Sequence, residues 1–95
     1  MTFAVVLSTR FAREVTRERA WLYDHRGRQR ADAFEAELAH FLDLVASCPE
    51  MGNPVGDERH WYLRRSRFHV YYRTSREKGT VVLHRLRHAA QGPET

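Results

Sequence analysis

A chain of 95 residues, 42% of them hydrophobic and 12% aromatic, can build one domain around one core and is too apolar to be wholly disordered. Its net charge of +4 favours an acidic partner: nucleic acid, an acidic protein segment or an anionic surface. No run approaches the roughly 20 apolar residues that span a bilayer, the lone Cys48 excludes an intrachain disulfide, and MTFAVVLSTR lacks the basic leader of a signal peptide, so the cytosol is the expected compartment.

Phe3 to Leu7 is short and rich in β-formers, which predicts a buried strand. Ser8 or Thr9 can then accept from the free N–H groups of a first helical turn. Glu14 suits the positive end of that helix's dipole. Phe11, Val15, Trp21 and Leu22 give this helix an imperfect apolar face up to about Tyr23, and Gly27 within DHRGRQR marks a break. The second helix is much clearer. Ala31, Phe34, Leu38, Phe41, Leu42 and Val45 recur at three- and four-residue steps and line one side, with Glu35, Glu37, His40 and Asp43 on the other. Pro49 ends it, and Gly52 with Pro54 forces a turn.

Three strands are predicted next: His60 to Arg65, Phe68 to Thr74 and Thr80 to Arg87. Ser66-Arg67 and Glu77-Lys78-Gly79 connect them, glycine tolerating positive φ in the second turn. Alternation puts Phe68, Val70 and Tyr72 on one face, with His69, Tyr71 and Arg73 on the other. The expected architecture is α+β: a strand, an α-helical hairpin and a three-stranded antiparallel meander, with the helices on one face of a four-stranded sheet. Residues 89–95 read as a frayed tail of this single domain.

This order of elements carries Val5-x-Leu7-Ser8, Ala31-x-x-Phe34 with Leu38 and Leu42, Pro49-Glu50-Met51-Gly52, Arg59, Tyr72-Arg73 and Leu83 through His88. In these features the chain resembles the RelE/ParE superfamily of type II toxins, over nearly its whole length. The Pro-x-x-Gly turn and the Arg-x-His ending are more similar to the ParE, or plasmid-stabilisation, branch. Phe11 and Glu18 depart from the pattern, standing where the family has a small and an apolar residue. The resemblance implies a toxin that inhibits DNA gyrase by protein–protein interaction, without cofactor or catalysis. It also implies a cognate antitoxin with an acidic, amphipathic C-terminal segment that neutralises the toxin. The alternatives are a RelE-like endoribonuclease that cuts messenger RNA on the ribosome, and a detoxified antitoxin-binding module.

The positive charge is almost wholly arginine, since Lys78 is the only lysine. Arginine binds carboxylate or phosphate with two parallel hydrogen bonds, where lysine is a point charge. Arg59, Arg65, Arg73, Arg85, Arg87 and His88 are therefore the expected partner- or target-binding residues. Metal-free RNA cleavage would need an acid, a base and cations on the phosphate. Arg64, Arg65, Arg85 and His88 are the residues able to supply them, and Tyr71 or Tyr72 could stack on a base. No second acid–base group follows His88, which is succeeded by Ala89-Ala90. A metal site is not expected, because His84 and His88 lie four apart on a strand, roughly 13 Å from each other. Cys48, after a helix end, is expected to be an inert packing residue.

Overall fold

The computed structural model describes residues 2–91. Strand β1 (Ala4–Leu7) leads into α1 (Thr9–Arg26) and α2 (Arg28–Ser47), followed by β2 (Asn53–Val55), β3 (Glu58–Leu63), β4 (Phe68–Ser75) and β5 (Thr80–His88). The sheet runs β1-β5-β4-β3-β2, with β1 parallel to β5 and the remaining pairs antiparallel. The fold is thus α+β as expected, with one strand more than the four predicted. The extra strand is β2, a three-residue edge ribbon through Pro54 where only a turn was expected. An edge position is where a sheet tolerates proline, whose missing N–H breaks no ladder bond.

Ser8 starts α1 as its sequence suggests, the side chain accepting from Phe11 N–H at 3.0 Å. That helix runs to Arg26, a turn beyond the predicted end. Gly27, at φ 92°, makes the corner between the helices, a left-handed conformation that a side chain would penalise. Phe34, Leu38, Phe41 and Val45 of α2 pack with Leu63, Phe68, Val70, Tyr72, Val81, Leu83 and Leu86 of the sheet. Phe11 from α1 joins them with no exposed surface. One face of the sheet is therefore core, and His69 and Tyr71 stand on the other.

Several expectations need correction. β1 is an edge strand rather than a buried one, leaving Val6 and Leu7 exposed. Cys48 is exposed rather than packed, because it follows the last turn of α2 at the surface. β3 begins two residues earlier than predicted and ends at Leu63, so Arg64 and Arg65 belong to a turn. Ala89–Gln91 form a 3-10 turn after β5, and the rest of the expected tail lies outside the described residues.

Two side chains replace missing main-chain partners. β1 stops at Leu7, so the second half of β5 pairs with β4 on one side and has no strand on the other. Glu14, inside α1 rather than in its first turn, accepts from Leu86 N–H at 2.9 Å in place of that strand. Glu14→Ala should therefore cost about 1–3 kcal/mol through an orphaned donor. Glu14→Gln, which keeps an acceptor, should recover much of the loss in a urea titration. Tyr72 works similarly at the other end of the core. Its hydroxyl donates to Pro49 O at 3.0 Å and accepts from Gly52 N–H at 2.9 Å. A Cβ on Gly52 would lie 2.6 Å from that hydroxyl oxygen, so this glycine is set by close approach. Arg59 closes the same corner, donating to Gly52 O at 2.7 Å and Glu50 O at 3.1 Å. Tyr72, Arg59 and the Pro49–Gly52 segment, which carry part of the family resemblance, together form one architectural clasp.

Candidate functional site

The β3–β4 turn presents Arg64, Arg65 and Arg67 in a row, and α2 holds it in place. Glu37 accepts from Arg65 N–H at 3.1 Å and Ser66 N–H at 2.9 Å, and also from the Ser66 hydroxyl. Arg67 closes the turn at φ 65°, its N–H donating to Leu63 O at 2.8 Å. Sequence periodicity assigned Glu37 to the solvated side of α2; it instead clamps the loop that carries the arginines.

Facing this turn across a cleft of about 900 Å³ are Arg17, Trp21 and Arg26 of α1 and Arg30 of α2. Phe34 and Phe68 line the cleft with them, and their rings pack at 4.5 Å. His88 reaches it from the end of β5, its ring edge-on to Phe68 at 4.8 Å. The His88 Nδ1 accepts from Ala90 N–H at 3.0 Å, which leaves the proton of the neutral ring on Nε2. Trp21 is exposed, stacks on His25 at 4.5 Å and carries the Arg26 guanidinium over its ring at 5.7 Å. Six arginines thus surround an apolar floor, with Glu18 the one carboxylate lining the cleft among the described residues. Among the described residues none of the six forms an ion pair. The cleft suits a ligand that offers carboxylates and an apolar side chain together.

A smaller groove of about 480 Å³ runs between α1 and β5, lined by Arg10, Arg13, Arg17, Arg85 and Arg87. Arg17 belongs to both depressions, so the arginine surface is continuous.

The residues expected to act together are divided between these regions. Arg64, Arg65 and His88 line the large cleft, whereas Arg85 pairs in register with Tyr71 on the open face and places its guanidinium 4.1 Å over that ring. Arg87 lies opposite His69 on the same face. Arg73 is also there, 3.5 Å from Asp57. Arg59 is committed to the clasp. The division follows from a β-bulge: Tyr71 pairs with Arg85 and Tyr72 with Leu83, so His84 is an extra residue in β5. Beyond it the alternation flips, sending Leu86 and His88 to the helix side and Arg85 and Arg87 to the open face. Arg17, Arg26 and Arg30 were not expected here, because only the tertiary fold brings the two helices against the β3–β4 turn.

On the open face His60 and His69 approach at 2.7 Å between Nε2 and Nδ1. Burial, then the positive charge of Arg87, holds His60 below its usual pKa; His69 is lowered by burial first, then by His60, Arg87 and His88. The folded pair binds fewer protons than the unfolded chain between these lowered values and about 6.5. Its contribution to stability is therefore complete above that range and lost as pH falls through it. Tm should drop between pH 7.5 and 5.5, and His69→Gln should flatten that slope.

The chain is thus a small, basic α+β domain in which an α-hairpin covers one face of a mixed sheet and borders an arginine-lined cleft. The family model for the ParE toxin of type II toxin–antitoxin systems, parDE, matches residues 5–93, and the chain belongs to that family. In a search of curated proteins the chain has no match. Among the described residues no helix is long and apolar enough to cross a membrane.

Proposed function

We propose that this ParE-family toxin acts by binding DNA gyrase and inhibiting it without catalysing a reaction, and that a cognate antitoxin neutralises it. The observation that carries the non-catalytic reading is the separation of Arg85 from His88. A general acid must lie within hydrogen-bonding reach of the atom it protonates, with the phosphate-holding cations around the same atom. Here His88 faces the helix side with Arg64 and Arg65, while Arg85 faces away. Among the described residues no further acid–base side chain lines the cleft beside His88 except Glu18 on α1. Binding needs no such convergence, only complementary surface.

The antitoxin's acidic segment is proposed to enter the large cleft. Carboxylates would meet Arg30, Arg64, Arg65 and Arg67, and an apolar side chain would rest against Trp21 and the phenylalanine floor. Coupled folding of such a segment gives tight binding with a marked salt dependence. The cytosol, where gyrase and a newly made antitoxin meet, is the compartment this reading requires.

The test is growth arrest on induced expression. His88→Ala should remain toxic, or weaken only modestly through lost contacts with Phe68. A nuclease that lost its general acid would be slowed about 10²–10⁴-fold, and cells would then tolerate it. The variant must first be shown to bind antitoxin as the parent does. A folded, antitoxin-competent and harmless His88→Ala would count for the endoribonuclease.

A further inference from the structure

The β3–β4 turn carries more bracing than a connection needs. Residues Arg64 to Arg67 join two antiparallel strands, and Arg64, Arg65 and Arg67 all line the large cleft. The main chain of the turn is held from three directions. Arg67 N–H donates to Leu63 O at 2.8 Å, and Arg67 O accepts from Ala89 N–H at 2.8 Å. The Glu37 carboxylate takes Arg65 N–H, Ser66 N–H and the Ser66 hydroxyl. Half-buried between three arginines, it bonds the main chain and the serine rather than the guanidinium groups, and Arg64, Arg65 and Arg67 stay exposed. Arg67 is also the one non-glycine residue at positive φ among the described residues, at 65°. Glycine or asparagine fits that conformation better, so the turn itself gives no reason for an arginine there. Its side chain in the cleft does.

We infer that Glu37 is a positioning residue for antitoxin capture: by fixing the main chain of the turn it holds Arg64, Arg65 and Arg67 along the cleft before the ligand arrives. The inference rests on the proposed entry of the antitoxin's acidic segment into this cleft. Long side chains on a loose loop must be ordered during binding, loop and side chain together, whereas a braced loop is ordered in advance. Electrostatics alone assigns Glu37 the opposite effect. A carboxylate beside the arginines repels an acidic ligand, so its removal would tighten binding. Positioning requires that its removal weaken binding. The sign of the change separates the two.

The experiment titrates the full chain with purified cognate antitoxin by calorimetry at low salt, and follows the turn by nitrogen-15 relaxation. Glu37→Ala should weaken affinity about tenfold, through the added ordering of the arginine side chains. Glu37→Gln, equally uncharged but still an acceptor, should recover part of that loss. In a chain that also carries Arg65→Ala and Arg67→Ala, the Glu37→Ala loss should shrink to about threefold or less, since a positioning residue acts through the groups it positions. Order parameters at Arg65 and Ser66 should fall from about 0.85 to below about 0.6 in Glu37→Ala, with the strands unchanged. Arg67→Asn should match or exceed the parent's urea midpoint while weakening antitoxin binding, because asparagine suits the backbone and lacks the charge. Glu35→Gln, on the same helix but paired with Arg19, should leave affinity unchanged or slightly tighter. Unchanged or tighter binding by Glu37→Ala, or the full tenfold loss in the arginine-depleted chain, would overturn the inference. If Arg30→Glu with Arg65→Glu also left affinity intact, the cleft reading would fall with it. A loss in that pair with none in Glu37→Ala would strike the positioning role alone.

Discussion

Phe41→Ala should cost about 3–5 kcal/mol, a large part of the roughly 5–15 kcal/mol that holds a domain together. Phe41 is 2% exposed and lies under the centre of the sheet, 5.9 Å from the Tyr72 ring and 6.2 Å from Trp61. Deleting it leaves a cavity beside the Tyr72 clasp, so the Pro49–Gly52 turn should loosen as well. Leu44, on the solvent side of the same helix and 42% exposed, provides the control. Its replacement by alanine should change stability by less than about 0.5 kcal/mol. Urea titration of both variants measures the difference directly. Equal midpoints would mean that α2 does not bury the face described.

Reversing charge on both walls of the arginine cleft should have the largest effect on antitoxin binding. Arg30 projects from α2 and Arg65 from the β3–β4 turn, so an acidic segment between them would meet both. Arg30→Glu with Arg65→Glu should weaken affinity about 100-fold or more at low salt, because two attractions become repulsions. The loss should shrink as salt rises. Arg73→Glu, on the opposite face, should stay within about threefold of the parent. Titrating each variant with the antitoxin by calorimetry at two salt concentrations checks both statements. If Arg73→Glu caused the greater loss, the antitoxin would belong on the open face instead.

Elements with a strong period were legible in the sequence. The α2 stripe from Ala31 to Val45 and the alternation of Phe68, Val70 and Tyr72 gave the core faces, since each periodicity has one geometric solution. Ser8 and Gly27 marked real helix boundaries because their chemistry is local. What escaped was non-local. Three residues with a proline in the middle carry no strand signal, so β2 emerged only through its pairing with β3. The apolar run of β1 resembled a buried strand because edge position depends on where the chain returns. The bulge at His84 has no signature in VVLHRLRH, yet it decides which arginines share a face. The candidate site was half legible for the same reason: Arg64, Arg65 and His88 meet, whereas Arg17, Arg26 and Arg30 join them only because the α-hairpin folds back across the turn. Glu37 looked like an ordinary solvated carboxylate until its partners, about thirty residues away, were in view.

The most direct test of non-catalytic gyrase poisoning is supercoiling by purified gyrase in the presence of the purified chain, with messenger RNA cleavage followed in a translating extract at the same concentrations. The expected result is loss of supercoiling with intact messenger RNA, reversed by antitoxin and unchanged in kind for His88→Ala. Codon-spaced cuts in messenger RNA, with supercoiling unaffected and the cuts abolished in His88→Ala, would contradict it.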